Sequence, residues 1–95
     1  METAGDEEQK QTSEKFVVLH VEDCVTGAKM KVQIKYDEPM WKLFVMVSNN
    51  LNRKVTTLRF MHEQKRIDPL DTPENMKLMN GEKLIVLTNQ TGGGL

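Results

Sequence analysis

Ninety-five residues carry thirteen basic and fourteen acidic side chains, a net charge of −1, which bounds the chain to one small domain with a modest core. That balance supplies no bulk electrostatic reason for direct binding to nucleic acid or a membrane surface. No apolar run approaches the ~20 residues of a membrane span, no secretory signal is expected ahead of the first strand, and the single cysteine, Cys24, excludes an internal disulfide. A reducing compartment, nucleus and cytoplasm, is the expected setting.

Residues 1–14 (METAGDEEQKQTSE) are polar and lack hydrophobic periodicity. They are expected to form a disordered N-terminal tail, because they can bury too little to offset the entropy of ordering. The folded domain is expected over 15–89. Phe16 to Val21 is rich in β-branched and aromatic residues and reads as a strand. Asp23-Cys24-Val25-Thr26-Gly27 supplies turn chemistry, and Lys29 to Tyr36 then alternates polar and apolar, the period of a strand with one wet face. The two make a hairpin.

Asp37-Glu38-Pro39 starts a helix, with acids in the cap region and a proline where a missing N–H does no harm. The helix is expected to run to about Asn50, with Met40, Leu43, Val47 and Leu51 on the face toward the sheet. Trp41, Phe44 and Val45 are then expected on the outward side with Ser48. An exposed aromatic patch there would be an extra interface, suited to a further partner or to weak self-association through the helix. Leu58 to His62 reads as a third strand, Lys65-Arg66-Ile67 as a short fourth, and Thr72-Pro73-Glu74 as a cap for one helical turn through Met76. Asn80-Gly81 turns the chain into a last strand from Lys83 to Asn89. One main helix packed across a mixed sheet is an α+β architecture, and at this size the ubiquitin-like β-grasp is the leading candidate. Residues 90–95 are expected to form a flexible glycine-rich C-terminal tail, since Gly92-Gly93-Gly94 cannot pack and can lie in a channel too narrow for any side chain.

Four fragments carry a sharper resemblance: Thr57-Leu58-Arg59-Phe60, Glu63-Gln64-Lys65-Arg66-Ile67, Thr72-Pro73-Glu74 and Gln90-Thr91-Gly92-Gly93. In register and correctly spaced, they resemble the small ubiquitin-related modifier (SUMO) family over Lys15 to Gly93. The polar segment ahead of the first strand fits that family too. Two departures stand out. The turn at Glu63-Gln64 lacks the family's glycine, and the acidic cluster before the last strand is replaced by Met79-Asn80-Gly81-Glu82.

The resemblance implies a substrate and tag, with no catalytic residues, cofactor or metal of its own. Gly92 and Gly93 would be the conjugation residues, charged by SUMO-type activating and conjugating enzymes and transferred to target-protein lysines as an isopeptide bond. A SUMO protease would first cut after Gly93, although the triple glycine leaves the scissile bond open by one position, after Gly93 or after Gly94. The resemblance also implies a groove between the second strand and the helix that reads SUMO-interacting motifs, short apolar strands flanked by acids, by adding them to the sheet edge. The matching positions are Lys31, Val32, Gln33, Ile34 and Lys35 on the strand with Lys42, Leu43 and Met46 on the helix. Lys31, Lys35 and Lys42 would attract the acids. Val32 and Ile34 can belong to the core as well. Ile34-Lys35-Tyr36-Asp37 fits the acceptor pattern of the same system but lies in an expected strand, which argues against chain growth here. The alternative function is a non-covalent ubiquitin-like interaction module that does not conjugate efficiently.

His20, Asp23 and Cys24 lie close in sequence, but the end of a hairpin offers no oxyanion donors, so a nucleophile reading fails. No metal-ligand spacing and no phosphate-cradling glycine loop is present.

Overall fold

A computed structural model describes residues 15–88. The expectations for 1–14 and 90–95, and for Asn89, lie outside the described residues. Five strands and two α-helices follow in order: β1 (Phe16–Asp23), β2 (Lys29–Lys35), α1 (Met40–Leu51), β3 (Leu58–His62), β4 (Lys65–Arg66), α2 (Pro73–Met76) and β5 (Lys83–Thr88). The strands form one mixed sheet in the order β2-β1-β5-β3-β4. β1 pairs antiparallel with β2 (Leu19 opposite Val32) and parallel with β5 (Val21 opposite Leu84). β5 pairs antiparallel with β3 (Phe60 opposite Val86), so β2 is left as an edge.

The period-two pattern builds the core. Val17, Leu19 and Val21 of β1 and Leu84 and Val86 of β5 are fully or almost fully buried, and α1 lies across that face with Met40, Leu43 and Val47 at 0% exposure. The helix ends where Asn52 adopts a left-handed conformation (φ 60°), and the short α2 carries a capping box between Thr72 and Asn75. The turn after β3 has a left-handed backbone although it holds no glycine: Glu63 and Gln64 have φ of 50° and 71°.

The start of α1 differs from the sequence expectation. Pro39 is the N-cap residue itself, and no side chain caps the helix. The first helical amides donate instead to carbonyls of the loop before α2: Met40 N–H to Asp71 (2.7 Å) and Trp41 N–H to Pro69 (3.0 Å). Glu38 is thereby released from capping and turns back toward β2.

The outward aromatic patch also needs correction. Phe44 is only 9% exposed and its ring stacks on Phe60 with centroids 4.1 Å apart and planes 7° from parallel. Ser48 is buried as well. The buried stripe of α1 runs Met40, Leu43, Phe44, Val47, Ser48, the i, i+3, i+4, i+7, i+8 pattern of a globular helix, and is wider than the Met40-Leu43-Val47-Leu51 row. Trp41 (44% exposed) and Val45 stay at the surface. Phe44→Ala should therefore cost ~3 kcal/mol, as truncation of a buried aromatic does, while Trp41→Ala should cost under ~1 kcal/mol. Chemical denaturation of both variants checks this; equal losses would contradict the packing.

Candidate docking edge and tail anchor

Alternation along β2 divides its side chains between two surfaces. Val32 and Ile34 point to the core side and are buried, whereas Lys31 and Gln33 are exposed on the opposite face, where Lys31 sits across from His20 and Gln33 across from Val18. The eight residues assigned to the groove by resemblance accordingly separate. Lys31, Val32, Gln33 and Met46 line one shallow hollow at the β2 edge, together with Met30 and Asn50. Ile34 and Leu43 are core residues, at 2% and 0% exposure, and offer no groove wall. Lys42 is engaged: its Nζ lies 3.3 Å from Glu38 Oε2, an i,i+4 pair, and 5.9 Å from the centre of the Trp41 ring. Lys35 lies beyond the hollow, beside Glu38.

Sequence reasoning missed Met30, Asn50 and Glu38. Met30 was visible as the first apolar position of the alternating run, and Asn50 follows Met46 at i+4 on the helix. The Lys35 N–H, 3.0 Å from Glu38 Oε1, holds the Glu38 carboxyl below the usual carboxylate range; burial opposes this and Lys42 adds to it.

A second cluster ties down the end of β5. Asp23, fully buried, accepts from the Thr26 hydroxyl (2.6 Å) and from the N–H groups of Thr26 (3.2 Å) and Val25 (3.3 Å). Its Oδ1 lies 2.8 Å from Arg53 Nη2, and Arg53 Nη1 donates to the Thr88 hydroxyl at 3.2 Å. Asp23, the loop after α1 and the last residue of β5 are thus joined through one guanidinium. Burial works against ionisation of Asp23, but the hydrogen bonds from Thr26, Arg53 and the turn amides prevail and its carboxyl sits below the usual range. Asp23 is thus committed to the turn and to Arg53, and Cys24 beside it is exposed.

One group of ligand-type side chains converges among the described residues. His62 Nε2 lies 2.9 Å from Glu82 Oε1 and 4.0 Å from Glu63 Oε2, which braces the end of β3 against the residue preceding β5. Gly92 and Gly93, expected to be conjugation residues, and the expected cleavage position at Gly93 and Gly94 fall outside the described residues.

No protein-family model matches the chain. No curated protein matches it. Among solved structures it is similar to the ubiquitin of the archaeon Caldiarchaeum subterraneum, with a TM-score of 0.74 and 16% identity over 83% of this chain and 99% of that one. This is a ubiquitin-like β-grasp. A designed protein based on ubiquitin is similar too, with a TM-score of 0.71 and 19% identity over 84% of this chain and 96% of that one. The ubiquitin-like fold places β5 in the sheet interior between β1 and β3, and Arg53 braces its last residue, Thr88.

The Asp23 cluster makes stability depend on pH in a stated direction. A lowered folded pKa means that its contribution is complete above the unfolded value, near 3.8, and is lost as pH falls through the lower folded value. Asp23→Asn should cost ~1–3 kcal/mol at neutral pH, and the gap to the parent should close in strong acid. Urea titrations at several pH values read this out; a gap that persists undiminished in acid would contradict it.

Proposed function

We propose that this ubiquitin-like protein is a SUMO-like modifier, conjugated through Gly93 to target lysines and read non-covalently at the β2 edge. The observation that carries the reading is the coupling of a ubiquitin-like fold to the sequence Gln90-Thr91-Gly92-Gly93, which begins two residues after the braced end of β5. The domain supplies a rigid handle, and the glycine pair supplies the only reacting group.

The chemistry belongs to the enzymes that use it. Once the residues after Gly93 are removed by a SUMO-type protease, the Gly93 carboxylate attacks the α-phosphorus of ATP on an activating enzyme, and pyrophosphate leaves. A cysteine thiolate of that enzyme then displaces AMP to form a thioester. The acyl group passes to the cysteine of a conjugating enzyme, and a target lysine amine attacks the thioester, releasing the thiol and forming an isopeptide bond. Glycine at both positions is what a narrow channel demands, because any Cβ would meet its walls. Nuclear and cytoplasmic compartments, which hold such enzymes, are the setting this reading implies.

Intact-mass analysis after incubation with a SUMO-type protease should show loss of the residues beyond Gly93 or Gly94. The trimmed protein should then form a thiol-sensitive adduct with the activating enzyme in the presence of ATP. Gly93→Val should abolish the adduct while leaving the unfolding transition unchanged. A chain that is neither trimmed nor charged would favour a non-covalent interaction module.

A further inference from the structure

The parity of the β1–β2 ladder decides which peptide groups of β2 face outward. Tyr36 N–H donates to the Lys15 carbonyl and Asp23 N–H to the Ala28 carbonyl, both at 2.8 Å. In an antiparallel pair this alternation continues along the strand, so Met30, Val32 and Ile34 bond to β1. Lys29, Lys31, Gln33 and Lys35 turn their N–H and C=O groups away from β1. An added strand would pair with these four residues.

One of the four is already occupied. The Lys35 N–H donates to Glu38 Oε1 at 3.0 Å, and the Lys35 carbonyl accepts from the Glu38 N–H at 3.1 Å. The Glu38 carboxylate therefore sits where the carbonyl of an added strand would have to sit. Its other oxygen is held by Lys42 from the helix side at 3.3 Å, so the carboxylate is fixed from two directions. Lys42 is drawn away from any partner by the same contact.

We propose that Glu38 closes the Lys35 end of the docking edge, so that a partner strand pairs with Lys29, Lys31 and Gln33 and stops there. The inference rests on the reading of β2 as a docking edge and deepens it by fixing the register and the partner's charge pattern. A carboxylate that accepts a main-chain N–H does the work of a strand carbonyl, and both cannot use one donor. Its negative charge also disfavours an acidic side chain near Lys35 and Lys42. Acids are favoured at the opposite end, where Lys29, Lys31 and Lys83 border one hollow on the open face of the sheet. Lys83 is itself paired there with Glu22 at 2.9 Å, and Lys29 faces the same carboxylate across the β1–β2 ladder, so Lys31 is the lysine of the hollow best placed to receive the partner's carboxylate. The partner so defined is a short extended segment with apolar residues against Met30, Val32 and Met46 and an acid at the Lys29–Lys31 end.

The test uses the full chain and a probe peptide with Val and Ile at its centre and Asp at both ends. Titration followed by amide chemical shifts should move Lys31 and Gln33 in the parent protein and leave Lys35 nearly still. In Glu38→Ala the perturbation should extend to Lys35, and binding should tighten by about three- to ten-fold, the factor that one net hydrogen bond supplies. Glu38→Gln, which keeps an acceptor for Lys35 and loses the charge, should retain the short footprint. Amide spectra of both variants report whether the fold is intact, and the parent titration needs no variant at all. If Lys35 moves with Gln33 in the parent, or Glu38→Ala leaves footprint and affinity unchanged, the stop does not exist although the edge does. If the peptide shifts no β2 amide in any of the three proteins, the docking edge and its stop fall together.

Discussion

Parallel pairing between β1 and β5 is the constraint on which the remaining architecture depends. Two parallel neighbours cannot be joined by a tight turn, so the chain between them has to cross the sheet, and α1 makes that crossing. The crossing buries one face only, so the strands alternate apolar and polar and do not run apolar throughout. It also puts β1 and β5 in the interior and pushes β2 to an edge. The exposed edge at β2 and the interior position of β5 are two outcomes of one pairing.

Both outcomes are stabilised by charged groups placed against main-chain atoms. At the end of β5, buried Asp23 gathers the turn amides and Arg53, and Arg53 reaches Thr88. At the end of β2, Glu38 takes up the Lys35 amide and is itself held by Lys42. A carboxylate is a stronger acceptor for a backbone N–H than a neutral group is. The first arrangement is sheltered and holds the fold together. The second lies at the end of the edge strand, where it occupies the Lys35 donor. Lysines on an edge strand also discourage unwanted sheet-to-sheet association.

Much of this was legible in the sequence, and the failures have identifiable physics. The alternation from Lys29 to Tyr36, the turn at Asn80-Gly81 and the capping signal at Thr72-Pro73-Glu74 act locally, and each element appears where its residues put it. The row Met40-Leu43-Val47-Leu51 understates the buried face of α1. Phe44, four residues after Met40 and three before Val47, belongs to the wider stripe that a globular helix buries. Ile34 and Leu43 could not serve as groove walls once their strand and helix faced each other across the core. Glu38 followed by Lys42 was readable as an i,i+4 pair, but its bond to Lys35 was not. That bond exists because loop carbonyls from Pro69 and Asp71 cap the helix in its place, a long-range contact that no local pattern encodes. Gly92 and Gly93 lie outside the described residues and were legible in the sequence alone.

Hydrogen exchange of the β2 amides tests the account most directly, because it reads the parity of the edge and the Glu38 contact in one experiment on the unmodified protein. Met30, Val32 and Ile34, bonded to β1, should exchange slowly, and Lys31 and Gln33, facing outward, should exchange fast. Lys35 shares their outward parity but donates to Glu38, so it should exchange more slowly than Gln33. Lys35 exchanging as fast as Gln33, or Lys31 and Gln33 protected as well as Val32, would contradict the account.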